Sequence, residues 1–241
     1  MAKYQYKGRS KIITQIPAQK TIKPDTIINS CNFVILAAYP MAGVKKLGCP
    51  LVNDYYSEEV INLHLDLIRS VCKSPNIIVV GGFDIKKVLK SSRRNEFQVV
   101  ENTLHEFTNS SEDLRIGLNA SPTGGSVVLD GSFLPSIDTY KLLLSDPTES
   151  KICFSFRKTE VIGINTSPEN IVNYFGYSCD KKIKGAYYLN TLDFNRVRKK
   201  CVGSSFNKTQ FDFEVLEELR LLAVEDTSKS IRLDENHDIK D

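Results

Sequence analysis

The chain has 241 residues, 41% of them apolar and 25% charged, with a net charge of +3. That length suits one large α/β domain or two small ones. No apolar run reaches the roughly 18–20 residues that a membrane span needs, and the net charge is too small to argue for nucleic acid.

Six cysteines are scattered, at 31, 49, 72, 153, 179 and 201, and none forms a Cys-x-x-Cys pair. Reduced, packed thiols in a cytoplasmic compartment are the expectation. Met1 to Pro24 also lacks the apolar centre of a signal peptide. No zinc spacing is present, and His64 and His105 read as structural.

Charge is unevenly placed. Lys3, Lys7, Arg9, Lys11, Lys20 and Lys23 precede any acid, whereas 225–241 is acid-rich. Residues 1–30 therefore read as a basic extended arm, 31–224 as the folded domain and 225–241 as an acidic tail. Such ends are either solvated or contact devices. As a contact device, the arm would dock on an anionic surface or a protein partner, or drive self-assembly.

In chain order, 33–38 is an unbroken apolar run ending in Ala37-Ala38, the pattern of a strand buried on both faces. The loop 39–49 follows, with breakers Pro40, Gly43 and Gly48 and the cations Lys45 and Lys46. Helical spacing marks 53–70, with Ser57-Glu58-Glu59 suited to a first turn. Strands are predicted at 77–80 and 97–100, with a short helix at 85–89 between them. A helix is expected over 112–119, and a fourth buried strand over 126–129 that turns at Asp130-Gly131-Ser132. The first three strands should be parallel and should share a sheet with the fourth.

The second half is predicted as follows. Residues 136–144 form a short helix. Strands 151–156 and 160–164 pair as a hairpin, and 171–177 and 185–189 are further strands. Arg196-Val197-Arg198-Lys199-Lys200 opens a cationic helix. Residues 211–224 form a last helix, after which the charged tail begins.

Val34-Ile35-Leu36-Ala37-Ala38 followed by Pro50-Leu51-Val52 resembles the opening of the sugar-phosphate nucleotidyltransferases. Val79-Val80-Gly81-Gly82-Phe83-Asp84 resembles that family's second strand and turn. Val99-Val100-Glu101-Asn102 with Phe107-Thr108-Asn109 resembles the choline-phosphate cytidylyltransferase branch. The resemblance implies a mixed, mainly parallel α/β sheet with helices on both faces, the GT-A-like fold. It implies a nucleotide or phosphorylated small molecule as ligand, held near Ala37, Ala38, Gly43, Lys45, Lys46, Gly81 and Asn109.

The same resemblance exposes losses. Tyr39 and Met41 stand where the family's loop has glycines, Gly43 is near the place of its arginine, and Cys49 replaces its lysine. The resemblance places Ser132 and Asn190 where the family's two magnesium-binding aspartates fall, side by side. Magnesium seeks carboxylate oxygens, and neither replacement carries a charge. The implied reading is a degenerate, non-catalytic binding or assembly subunit without a cofactor. The alternative is an active NTP-dependent enzyme using magnesium, with Lys45, Lys46 and Asp130 as catalytic candidates. A glycosyltransferase of the same fold would need an Asp-x-Asp metal motif, which is not evident.

Overall fold

The computed structural model describes residues 27–39, 48–52, 54–55, 58–91, 93–157, 162–204 and 212–233. The chain enters on β1 (Ile28–Ala37), five residues before the apolar run begins. A 3-10 turn at Pro50–Val52 leads to two short paired strands, β2 (Asp54–Tyr55) and β3 (Glu58–Glu59). Helix α1 (Val60–Val71) then runs back along the sheet to β4 (Cys72–Gly81). The expected helix start in the fifties is therefore corrected: Glu58 and Glu59 pair with β2 instead of forming a first turn.

After α2 (Ile85–Val88) and β5 (Gln98–Glu101) come α3 (Ser110–Ala120) and β6 (Ser126–Asp130). Next follow β7 (Phe133–Leu134), α4 (Ile137–Leu144), β8 (Lys151–Phe156), β9 (Gly163–Thr166) and β10 (Val172–Gly176). The chain closes with β11 (Lys181–Leu189), α5 (Thr191–Ser204), α6 (Asp212–Leu216), β12 (Leu222–Glu225) and β13 (Ile231–Arg232).

Nine strands make one mixed sheet in the order β10-β9-β11-β6-β1-β4-β5, with β8 paired to both β11 and β12. As predicted from their apolar runs, β1, β4 and β5 are parallel neighbours, and β6 lies parallel on the other side of β1. Alternate residues face opposite sides. Phe33 and Ile35 join the layer of α1 and α4, while Val34 joins the layer of α3, α5 and α6. Each of these fully buried side chains contributes about 1.5–3 kcal/mol of burial. Helix α3 approaches β1 so closely that a Cβ at Gly117 would fall 2.3 Å from Val34 Cγ1. Only glycine fits there, and the contact sets the depth of that layer.

Three expectations for the second half are overturned. Strands β8 and β9 do not pair as a hairpin; each pairs with β11 instead. The last helix stops at Leu216, and Leu222–Glu225 becomes a strand parallel to β8. The leucines at 216, 219 and 221 are buried, but only Leu216 lies in α6, and the other two lie in the link to β12. Nor does a tail leave the fold at Glu225. Asp226 is buried, and β13 pairs with β7. None of the six cysteines is in a disulfide among the described residues, and all but Cys31 are buried.

Candidate functional site

The carboxyl ends of β1, β4, β5 and β6 meet along one rim of the sheet, the usual ligand edge of an open α/β fold. At the first corner the strands are tied together beyond their ends. Phe83 N–H donates to Ala38 O (2.9 Å), Asn102 N–H to Gly81 O (2.7 Å) and Gly131 N–H to Leu36 O (2.8 Å). Ala37 and Ala38 are buried. The His105 ring packs over Gly82, where an added Cβ would lie 2.6 Å from it.

Asn102 braces this corner, donating to Thr108 Oγ1 (3.0 Å) and Asp113 Oδ1 (2.7 Å). The Tyr39 hydroxyl is buried beside it. Burial raises its pKa, and the Asp113 charge raises it further. The structure thus places Ala38 close to the Gly81–Phe83 turn. Asn109 has a local role besides: its side chain caps α3 by accepting from Ser111 N–H at 3.0 Å. Gly43, Lys45 and Lys46 lie outside the described residues.

The second corner lies at the end of β6. Asp130 Oδ1 accepts from the N–H and hydroxyl of Ser132, at 2.9 and 2.8 Å. Its Oδ2 accepts from Arg232 Nη2 at 3.0 Å, and the same nitrogen lies 3.2 Å from Ser132 Oγ. Arg232 arrives because β13 pairs antiparallel with β7, Arg232 opposite Phe133. Leu233 N–H also donates to Ser132 O at 2.9 Å. Gly185 of β11 adopts φ +80° directly against this pair.

The segment carrying Arg232 is anchored by Asp226. That carboxylate accepts from Ser228 N–H (2.9 Å), Thr139 Oγ1 (2.9 Å), Ser230 Oγ (3.0 Å) and Lys184 Nζ (3.2 Å). Burial opposes its charge, yet the Ser228 and Thr139 hydrogen bonds and Lys184 outweigh burial and hold its pKa below the usual range. Asp226, Ser230 and Arg232 were missed in the sequence because 225–241 read as solvated charge. The alternation Ser228-Ser230-Arg232, which places these three on one side of an extended segment, was the available signal.

Asn190 is not part of this corner. Strand β11 runs antiparallel to β6, with Leu189 opposite Ser126 and Ala186 opposite Leu129. Asn190 therefore lies past the amino end of β6 and Ser132 past its carboxyl end, roughly 20 Å apart at ~3.3 Å per residue. This corrects the expectation that the two sit side by side. Asn190 instead starts α5: its Oδ1 accepts from Asp193 N–H at 2.8 Å, and its Nδ2 donates to Thr148 O at 2.9 Å. Asp193 is tied to Ser150 Oγ at 2.7 Å.

This donor set does not fit magnesium. Both Asp130 oxygens already accept hydrogen bonds, and the group facing them is a cation. Among the described residues no three His, Cys, Asp or Glu side chains cluster as metal ligands.

The fold is that of the nucleotidyltransferases. Solved structures that share it include CTP:phosphocholine cytidylyltransferase from Streptococcus pneumoniae. The likeness has a TM-score of 0.64 at 15% identity and spans 86% of this chain and 94% of that one. The inositol-1-phosphate CTP transferase from T. maritima matches with a TM-score of 0.65 at 14% identity, over 85% of this chain and 88% of that one. A UDP-glucose pyrophosphorylase complexed with UDP-glucose matches with a TM-score of 0.63 at 12% identity, over 86% and 94%. No family model and no curated protein sequence matches this chain.

Proposed function

We propose that this nucleotidyltransferase-fold chain does not carry out metal-dependent transfer and serves as a non-catalytic binding or assembly subunit. The observation that carries this reading is Arg232 on Asp130 and Ser132. Transfer between two polyanions needs cationic stabilisation of the α-phosphate, with attacking and leaving oxygens held in line. In the resembling family a magnesium ion on two aspartates supplies it. Here the implied first aspartate is Ser132, and the neighbouring carboxylate is committed to a guanidinium. The basic arm, with six cations before the first acid, is the contact device of the assembly reading.

The test is pyrophosphate release from each of the four common NTPs, with and without magnesium and with phosphocholine or a sugar 1-phosphate as acceptor. Release no faster than buffer is expected. Robust magnesium-dependent release would overturn the reading and return Lys45, Lys46 and Asp130 to candidacy as catalytic groups.

A further inference from the structure

Strand β5 ends the nine-stranded sheet and pairs with β4 alone among the described strands. Asn102 N–H donates to Gly81 O at 2.7 Å. In a parallel ladder alternate residues turn their main-chain groups the same way, so Gln98 and Val100 also face β4. Val99 and Glu101 turn their N–H and C=O outward, and among the described residues nothing pairs with those groups. The opposite end of the sheet is covered. There Val172 N–H of β10 donates to Leu221 O at 2.9 Å, and Phe175 N–H to Glu217 Oε1 at 3.4 Å. We infer that the outer edge of β5 is a self-association surface, on which β5 of a second copy of this chain pairs antiparallel across a two-fold axis at Val100. The inference names the partner in the assembly reading above and rests on it.

A two-fold axis at Val100 sets Val99 of each copy opposite Glu101 of the other. Each such pair exchanges both of its N–H···O=C bonds, so the two pairs satisfy every outward group of the edge. The edge begins at Val99, because Phe97 C=O already accepts from Arg94 Nη1 at 2.6 Å. Unpaired main-chain groups along a strand are a template for another strand. A two-fold contact closes on itself, so the product is a dimer and not a fibre.

Charge selects the direction. Arg94 precedes β5 and Glu106 follows it, equally far from Val100 in sequence. Arg94, Glu101 and Glu106 have no ion pair among the described residues, and both acids are exposed. Antiparallel pairing sets the Arg94 end of each copy against the acidic end of the other. Parallel pairing in register would set Glu101 beside Glu101, which is unfavourable. Leu104 and Phe107, 43% and 63% exposed in the turn after β5, add apolar area at the rim of the contact.

The experiment must separate a second β5 from the basic arm, whose charge is also opposite to that of Glu101 and Glu106. Sedimentation equilibrium of the full chain is expected to show a reversible exchange between monomer and dimer. Val99→Pro removes an outward N–H and leaves the ladder to β4 intact. It should raise the dissociation constant at least about tenfold, equivalent to ~1.4 kcal/mol. Arg94→Glu and Glu106→Arg should each weaken the dimer, and the two together should restore it. Val100→Cys places a thiol on the axis, so oxidation by diamide should link two copies through position 100. Mass spectrometry of the linked peptide reads this, with the natural chain as control. The charge exchange and the link keep the test valid if Val99→Pro misfolds.

A chain that stays monomeric at every concentration would overturn the surface. So would a dimer that both charge reversals leave unchanged, or one that forms no link at position 100; the contact would then lie elsewhere, on the arm first of all. Magnesium-dependent turnover by a dimer linked at position 100 would uphold the surface and overturn only the non-catalytic reading. A monomer without turnover would overturn the surface alone.

Discussion

Arg232 Nη2 lies 3.0 Å from Asp130 Oδ2, joining two residues 102 positions apart in the chain. The Asp130 side chain is 42% exposed, so the ion pair itself contributes at most about 1 kcal/mol. Its consequence is chemical. A planar, singly charged fork stands where the family resemblance places a divalent ion, and it offers hydrogen bonds but no coordination sphere.

Gly185 makes this arrangement possible. Its φ is +80°, and a Cβ there would lie 2.9 Å from Arg232 Nη1 and 3.1 Å from Asp130 Cβ. Gly185→Ala should cost about 1 kcal/mol or more from backbone strain alone. It should also push Arg232 off Asp130. Chemical denaturation would measure the first effect. A structure of the variant would show the second, and unchanged stability would contradict the strain argument.

Asn190 should prove a structural residue. Asn190→Ala removes the cap on α5 and is expected to destabilise the fold by ~1 kcal/mol. Asn190→Asp keeps a capping oxygen and loses only the bond to Thr148 O, so its effect should be smaller. Urea unfolding of the two variants gives the ranking. Equal losses would mean that the cap is not what Asn190 contributes.

Asn190 also shows where sequence reading stopped. The parallel half was legible because 33–38, 77–80 and 127–129 are apolar without interruption, which suits strands buried on both faces. A strand's direction leaves no such mark. The run 185–189 reads equally well parallel or antiparallel, and its true direction moves Asn190 to the far end of the sheet. The closing segment was hidden for a different reason. Its polar residues, Asp226, Ser228, Ser230 and Arg232, have solvated-tail composition, and only burial against Thr139 and Asp130 reveals that they are partners.

His64 sets an acid limit on stability. The ring is fully buried in α1, and neither nitrogen has a hydrogen-bond partner among the described residues. Burial lowers its pKa from 6.5 to about 4. Between these values the unfolded chain binds a proton that the folded chain refuses. The stability is therefore complete above pH 6.5 and is lost as pH falls toward 4, by about 3 kcal/mol. His64→Leu should flatten this part of the pH profile. Thermal melts of both proteins from pH 7 to 4 make the comparison, and parallel profiles would remove His64 as the cause.

The last prediction concerns what a magnesium site at the β6 corner would require. Ser132 and Arg232 flank Asp130, so carboxylates at both positions would create a three-acid cluster there. Ser132→Asp with Arg232→Asp changes the local charge from near zero to strongly negative. Hard oxygen ligands of that kind are what magnesium selects. Calorimetry should detect magnesium binding to this variant, and magnesium should raise its melting temperature by mass action. The natural chain should show neither effect. Ser132→Asp with Asn190→Asp should also fail, because position 190 lies at the opposite end of β6. Turnover need not follow, since Tyr39 and Met41 stand where the family resemblance implies glycines. An equal magnesium-induced stabilisation of the natural chain would show that Arg232 does not displace a metal, and the non-catalytic reading would lose its main support.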